Sequence, residues 1–178
     1  MKQVVPTTMQ NGLSESGSYI LMLTEVDGDR SIPIFTGSHE AQSIMLAAAS
    51  EQTRRPMTHQ LMAAMMNEYG LTLREVTVDR VEDGIFYATL HITDGFNMKR
   101  FDSRPTDAVT LALLTGCRIM VDERILDETG IKSDHVALQP TADTGSIEQL
   151  EAELHRCEET EDYERAAEIQ RQIDELSK

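Results

Sequence analysis

The chain contains no tryptophan, only two cysteines, few aromatic residues and no long apolar run. Its purely apolar stretches are short, as in Tyr19-Ile20-Leu21-Met22-Leu23, whereas a membrane span needs about 20 such residues. No membrane association is therefore expected. Met1 to Gly12 lacks both the basic and the apolar region of a signal peptide. Cys117 and Cys157 fall in different segments and offer no metal-ligand spacing, so a reducing cytoplasm is expected rather than a disulfide framework. A phosphate-cradling glycine loop, a zinc-spaced Cys/His cluster and a nucleophile elbow are all missing. So are basic residues interleaved with aromatics, as RNA-binding sheets carry them. Positive charge is scarce too: 16 basic against 31 acidic side chains leave a net charge of −15. Such acidity repels phosphate backbones at long range and argues against broad, non-specific nucleic-acid binding.

What is present fits one well-buried domain with a small appendage. Tyr19–Thr24 and Ser31–Phe35 read as a hairpin around Asp27-Gly28-Asp29. Ser38 is the expected N-cap of a helix whose Ala41, Ile44, Met45 and Ala48 share a face. After Arg54-Arg55-Pro56 a second helix is predicted, capped by Thr58, with Leu61, Met62, Met65 and Met66 as a stripe and Gly70 at its end. The stripe reads as core packing first and as a subunit contact second, since methionine adapts to both. Strands follow over Thr72–Val81, Ile85–Ile92 and Met98–Phe101, with turn chemistry at Glu82-Asp83-Gly84 and Asp94-Gly95. Pro105 opens a helix closed by Gly116. Arg118–Val121 is a short strand and Glu123–Glu128 a short helix.

One internal similarity organises this list. Ile34-Phe35-Thr36-Gly37 leads into a helix with Glu40-Ala41, and Phe101-Asp102-Ser103-Arg104 leads into one with Asp107-Ala108, each pair 67 positions apart. A constant offset of this kind suggests a duplicated strand–helix unit, with Glu40 and Asp107 at equivalent helix N-termini; a chance likeness of short segments is the alternative. The expected fold class is α+β: a mixed or antiparallel sheet with packed helices over residues 1–138.

Residues 139–145 read as a linker. Beyond it, Ile147, Leu150, Leu154 and Cys157 recur at helical spacing. The period restarts with Tyr163, Ala166, Ile169, Ile173 and Leu176. Residues 146–178 are thus expected to form an antiparallel helical hairpin. With 11 acidic and 4 basic side chains it carries −7 of the net charge. A unit this small buries too little to be very stable alone, so part of its stripe is available to a partner.

Two resemblances sharpen these expectations. Asp162-Tyr163-Glu164-Arg165-Ala166-Ala167-Glu168-Ile169, followed by Ile173 and Leu176, resembles the UVR motif, the helical hairpin of UvrB and UvrC and of several protease adaptors. Gln170-Arg171 stand where that family commonly has Arg-Asp. The resemblance implies docking on a protein through Tyr163, Ala166, Ile169 and Ile173. Residues 1–138 resemble the bifunctional nuclease family. The features that match are Pro33-Ile34 with Gly37 and Glu40-Ala41, Arg55-Pro56-Met57-Thr58-His59-Gln60-Leu61, Phe86-Tyr87-Ala88 and, most strongly, Asp102-Ser103-Arg104-Pro105-Thr106-Asp107-Ala108. Gln60 stands at a position that is often acidic in the family. This resemblance implies hydrolysis of RNA and DNA.

Phosphodiester hydrolysis needs an activated water and neutralisation of the charge that builds on the phosphoryl oxygens. Carboxylates holding Mg²⁺ or Mn²⁺ do both, and arginine adds bidentate contacts. Glu40, His59, Asp102 and Asp107 are the candidate catalytic groups, Asp102 and Asp107 the candidate metal ligands, and Arg104 and Arg55 the candidate phosphate clamps. Each also has a plain structural reading. Glu40 and Asp107 lie in first helical turns, where an acid is favoured by roughly 0.3–1 kcal/mol; Asp102 and Arg104 can pair with each other; His59 can simply be hydrogen-bonded. Besides a nuclease, an adaptor that binds a ligand or protein and a homo-oligomeric structural protein remain open.

Overall fold

The computed structural model of the chain describes residues 1–11, 18–51 and 53–132. The predicted linker and hairpin, with Tyr163, Ala166, Ile169 and Ile173, lie outside the described residues. In chain order the elements are β1 (Lys2–Asn11), β2 (Ser18–Glu25), β3 (Arg30–Gly37), α1 (Ser38–Ala48), α2 (Thr58–Glu68), β4 (Thr72–Glu82), β5 (Ile85–Thr93), β6 (Met98–Ser103), α3 (Pro105–Thr115), β7 (Arg118–Val121), α4 (Glu123–Thr129) and β8 (Ile131–Lys132). The strands form one mixed sheet ordered β6-β5-β4-β7-β1-β2-β3-β8. The fold is α+β.

The duplication is visible in the topology. β1-β2-β3-α1 and β4-β5-β6-α3 are each an antiparallel meander followed by a helix. The helices start at Ser38 and Pro105, which again are 67 apart. β7 joins the halves, parallel to β4 and antiparallel to β1. The β4–β5 turn is Asp83-Gly84, both at positive φ (50° and 77°), as a two-residue type I′ hairpin demands.

The core is a single cluster that includes Val4, Leu21, Leu23, Ile32, Val76 and Val78 from the sheet and Ile44, Val109 and Leu111 from the helices. α3 is the central helix. Seven of its residues are buried, and it packs against α1, α2 and the sheet. Ala108 and Ala112, both buried, keep its surface low enough for close approach. α2 is the opposite case. None of its residues is buried, and Leu61, Met62 and Met65 are exposed. Of the expected core stripe of α2 only Met66, partly buried, packs against the core; the helix leans on α3.

Three expectations of detail change. Ser38 and Thr58 are first helical residues rather than caps; the N-cap positions are Gly37 and Met57. At α2 the capping oxygen comes from Gln60, whose Oε1 accepts the Met57 N–H at 3.0 Å. β1 had no counterpart among the predicted strands. Its Pro6, its threonines and its glutamines conceal a strand in which Val4 and Thr7 are buried, and its register against β2 shifts between Pro6 and Thr8.

Candidate functional site

The site lies where the two repeats meet. Glu40 is the third residue beyond the N-cap Gly37, and Asp107 the third beyond the N-cap Arg104. The duplication thus brings two acid-bearing helix N-termini onto packed helices, and the second repeat has Arg104 where the first has Gly37. Arg104 binds both acids. Its Nε donates to Asp107 Oδ2 at 2.8 Å, Nη2 donates to Asp107 Oδ1 at 3.1 Å, and Nη1 donates to Glu40 Oε1 at 2.9 Å. Gly37 suits its position sterically as well, since a Cβ there would lie 2.8 Å from Glu40 Oε2.

α2 adds the fourth member. His59, its second residue, places Nε2 3.0 Å from Asp107 Oδ1. What holds His59 there is Gln60: Nε2 donates to the Glu51 carbonyl at 3.1 Å while Oε1 takes the Met57 N–H and the Thr53 hydroxyl. A glutamate could not donate to that carbonyl. Gln60 therefore fastens the helix start and does not belong to the charged cluster.

The electrostatics follow from these contacts. Burial pushes the Asp107 carboxyl up, but the guanidinium of Arg104 and the imidazole of His59 outweigh it and hold the pKa below the ordinary value. Glu40 is also lowered, first by its own backbone N–H and then by Arg104. Arg104 is raised by the two acids, Asp107 foremost. Asp107 is thus ionised at neutral pH and can only accept. The hydrogen it accepts from the imidazole is on Nε2, so the neutral form of the ring carries its lone pair on Nδ1.

Three of the four predicted catalytic groups are drawn together, Glu40 and Asp107 through Arg104 and His59 through Asp107. Asp102 is not. Phe101 stands opposite the buried Leu90, and Asp102 opposite Thr89. Side chains alternate along a strand, so the Asp102 carboxylate projects to the face away from Leu90, although Asp102 itself is among the residues that line the cavity. Arg104 pairs with Asp107 and Glu40, not with Asp102. Arg55 is exposed in the turn before α2 and does not border the cavity. The described residues also do not fit a metal centre. No three His, Cys, Asp or Glu side chains among them are grouped to hold an ion, and both Asp107 oxygens are engaged by Arg104.

The cluster sits at one end of a cavity of about 1130 Å³ between α2 and the sheet. Its walls are mainly apolar, from Met62, Met65, Met66 and Tyr69 on one side and Leu90, Ile92 and Phe101 on the other. These wall residues were hidden in the sequence because a stripe facing a cavity has the same period as one facing a core. The usable signal was the low charge of an exposed helix, Glu68 being the one charged residue in Thr58–Glu68.

Comparison with known proteins places the chain in a family. The bifunctional nuclease domain profile matches residues 21–134, and the chain belongs to that family. The UvrB/uvrC motif matches residues 144–178. An uncharacterized protein of Mycobacterium tuberculosis is 35% identical over 112 residues, covering 63% of this chain and 66% of that protein. Bifunctional nuclease 1 of Oryza sativa and a bifunctional nuclease of Oryza minuta are each 26% identical over 148 residues, covering 80% of this chain and 43% of theirs. The chain thus spans just under two thirds of the mycobacterial relative's length and less than half of the rice proteins'. No helix among the described residues is long and apolar enough to cross a membrane.

Proposed function

We propose that this chain is a nuclease hydrolysing phosphodiester bonds of RNA or DNA at the Arg104–Asp107–His59 cluster, working in the cytoplasm and docked on a protein partner through residues 146–178. The observation that carries the reading is a histidine held by an ionised carboxylate beside a guanidinium, at the end of a cavity, in a chain of the bifunctional nuclease domain family. Asp107 orients His59 and fixes its tautomer. Nδ1 takes a proton from water, and the water oxygen bonds to phosphorus. The bond from phosphorus to the leaving nucleoside oxygen breaks, and the proton passes to that oxygen. Arg104 turns at least one N–H from Glu40 to the phosphoryl oxygens and offsets their growing charge. In this scheme Glu40 holds Arg104 in place before substrate arrives and is not itself the base.

The test is cleavage of labelled RNA, single-stranded DNA and duplex DNA by the purified full chain. Mg²⁺ and Mn²⁺, the cofactors expected from the sequence, are compared with a chelator. His59→Ala and Asp107→Ala should each lower the rate by about 100-fold or more, the usual worth of a positioned base. Cleavage at the unchanged rate in both variants would overturn the proposal.

A second reading is favoured by the apolar cavity wall and by two acids against one arginine, which together suit a neutral ligand better than a phosphate. On that reading the chain is an adaptor. It cleaves nothing, and a partner captured by the full chain is lost when residues 146–178 are removed. A partner retained by the shortened chain argues against it.

A further inference from the structure

A second, smaller cleft also borders the Glu40–Arg104 pair. Its volume is about 320 Å³, within the range of small-ligand sites, and the pair is shared between it and the large cavity. β3 forms one wall, and Gly84, Ile85 and Phe86 form the other, although four strands separate β3 from β5 in the sheet. The sheet therefore curls until these two places approach each other. The start of α3, at Pro105 and Thr106, completes the lining.

Thr36 lies in the wall of this cleft. Only 9% of it is exposed, and its hydroxyl oxygen is buried with no hydrogen-bond partner among the described residues. Buried hydroxyls are nearly always paired, because an unpaired one forfeits its bonds to water. Rotation about χ1 exchanges this hydroxyl with the methyl group, which lets the oxygen meet a group that enters the cleft. Thr106 adds a second hydroxyl and an N–H of the first helical turn, which has no acceptor within the helix. The Glu40 carboxylate at the border disfavours an anion inside. Hydroxyls both donate and accept, so two of them suit the mixed N–H and carbonyl edge of a neutral heterocycle. Phe35 and Ile85, which line the same cleft, are 73% and 60% exposed. The Phe35 ring is the kind of face on which a planar base stacks.

We propose that this cleft is a nucleobase subsite: the base of a nucleotide whose phosphate lies at Arg104 enters it, bonds to Thr36 and Thr106 and stacks on Phe35. The inference rests on the nuclease reading, since a phosphodiester carries a nucleoside on each side and Arg104 borders two cavities. Its test is an NMR titration of the isotope-labelled full chain with uridine, cytidine, adenosine and guanosine monophosphate, alongside cleavage of RNA by the same preparation. At least one nucleotide should bind and shift the amide signals of Thr36, Ile85 and Phe86. Thr36→Val keeps the shape without the hydroxyl and should weaken that binding about fivefold. Thr36→Ser keeps the hydroxyl and should bind as wild type, while Phe35→Ala should weaken binding about tenfold. Because the hydroxyl has no partner in the free chain, Thr36→Val should not lower the urea midpoint. The subsite is overturned by no shift with any of the four nucleotides, or by shifts confined to Met62, Met65 and Tyr69 of the large cavity. It is equally overturned if Thr36→Val binds as wild type or unfolds at lower urea. Binding with the expected signature by a chain that cleaves no nucleic acid overturns the nuclease reading instead, and leaves the cleft as a nucleotide site.

Discussion

Replacing Arg104 with alanine removes the guanidinium that Glu40 and Asp107 share, and the structure sets the size of the effect. Arg104 makes two ion pairs through three hydrogen bonds, yet its side chain is 64% exposed, against 26% for Glu40 and 28% for Asp107. Solvent screens such pairs to roughly 0.2–1 kcal/mol each. The two acids left behind repel, but each stays in the first turn of its own helix, which offsets part of that repulsion. The expected loss is about 1 kcal/mol at pH 7. The sign with pH follows from the direction of the shifts. Both carboxyls are held below their ordinary values. The stability they supply is therefore complete above the unfolded carboxyl range, about pH 4, and is lost as pH falls through the lower folded values. Urea denaturation at pH 7 and pH 3 should show a gap between wild type and Arg104→Ala that narrows at the lower pH. Arg104→Lys, a point charge without the fork, should recover less than half of the loss at pH 7. An equal gap at both pH values, or no gap at pH 7, would refute the ion-pair account.

Two further outcomes check the local structure around the site. Gln60→Glu keeps an acceptor for the Met57 N–H but loses the donor to the Glu51 carbonyl; it should cost about 1 kcal/mol in urea denaturation, and an unchanged midpoint would contradict the role given to Gln60. Ser38→Ala and Thr58→Ala should change stability by less than about 0.5 kcal/mol because neither side chain caps its helix, whereas Asp122→Ala, which removes an oxygen accepting the Arg124 N–H, should cost about 1 kcal/mol.

The fold was legible wherever local chemistry decides it. Turn residues at Asp83-Gly84 and Asp94-Gly95, Pro105 at a helix start and Gly116 past its end marked their elements closely, because backbone sterics act at the residue itself. The duplication was legible too, since a repeated segment keeps its spacing whatever it packs against. β1 was not, because its pairing with β2 and β7 is supplied by distant partners rather than by its own polar sequence. The cluster was legible in part. The offset of 67 made Glu40 and Asp107 equivalent, and packing the two helices together brought them to one arginine. Asp102 lines the cavity without joining the cluster, because one residue along a strand reverses the face and sequence alone does not fix the parity. Met62 and Met65 of α2 are exposed while Met66 packs against the core, because periodicity reports a shared face and not what covers it.

The central claim is that His59 and Asp107 act as a pair beside Arg104 to cleave nucleic acid. Its most direct test is the single-turnover cleavage rate of a labelled RNA by wild type, His59→Ala, Asp107→Ala and the double variant. Two groups acting as a unit give non-additive losses. The account predicts that each single variant falls by about 100-fold or more and that the double variant falls little further. Cleavage by all four proteins at one rate, or losses that multiply in the double variant, would contradict it.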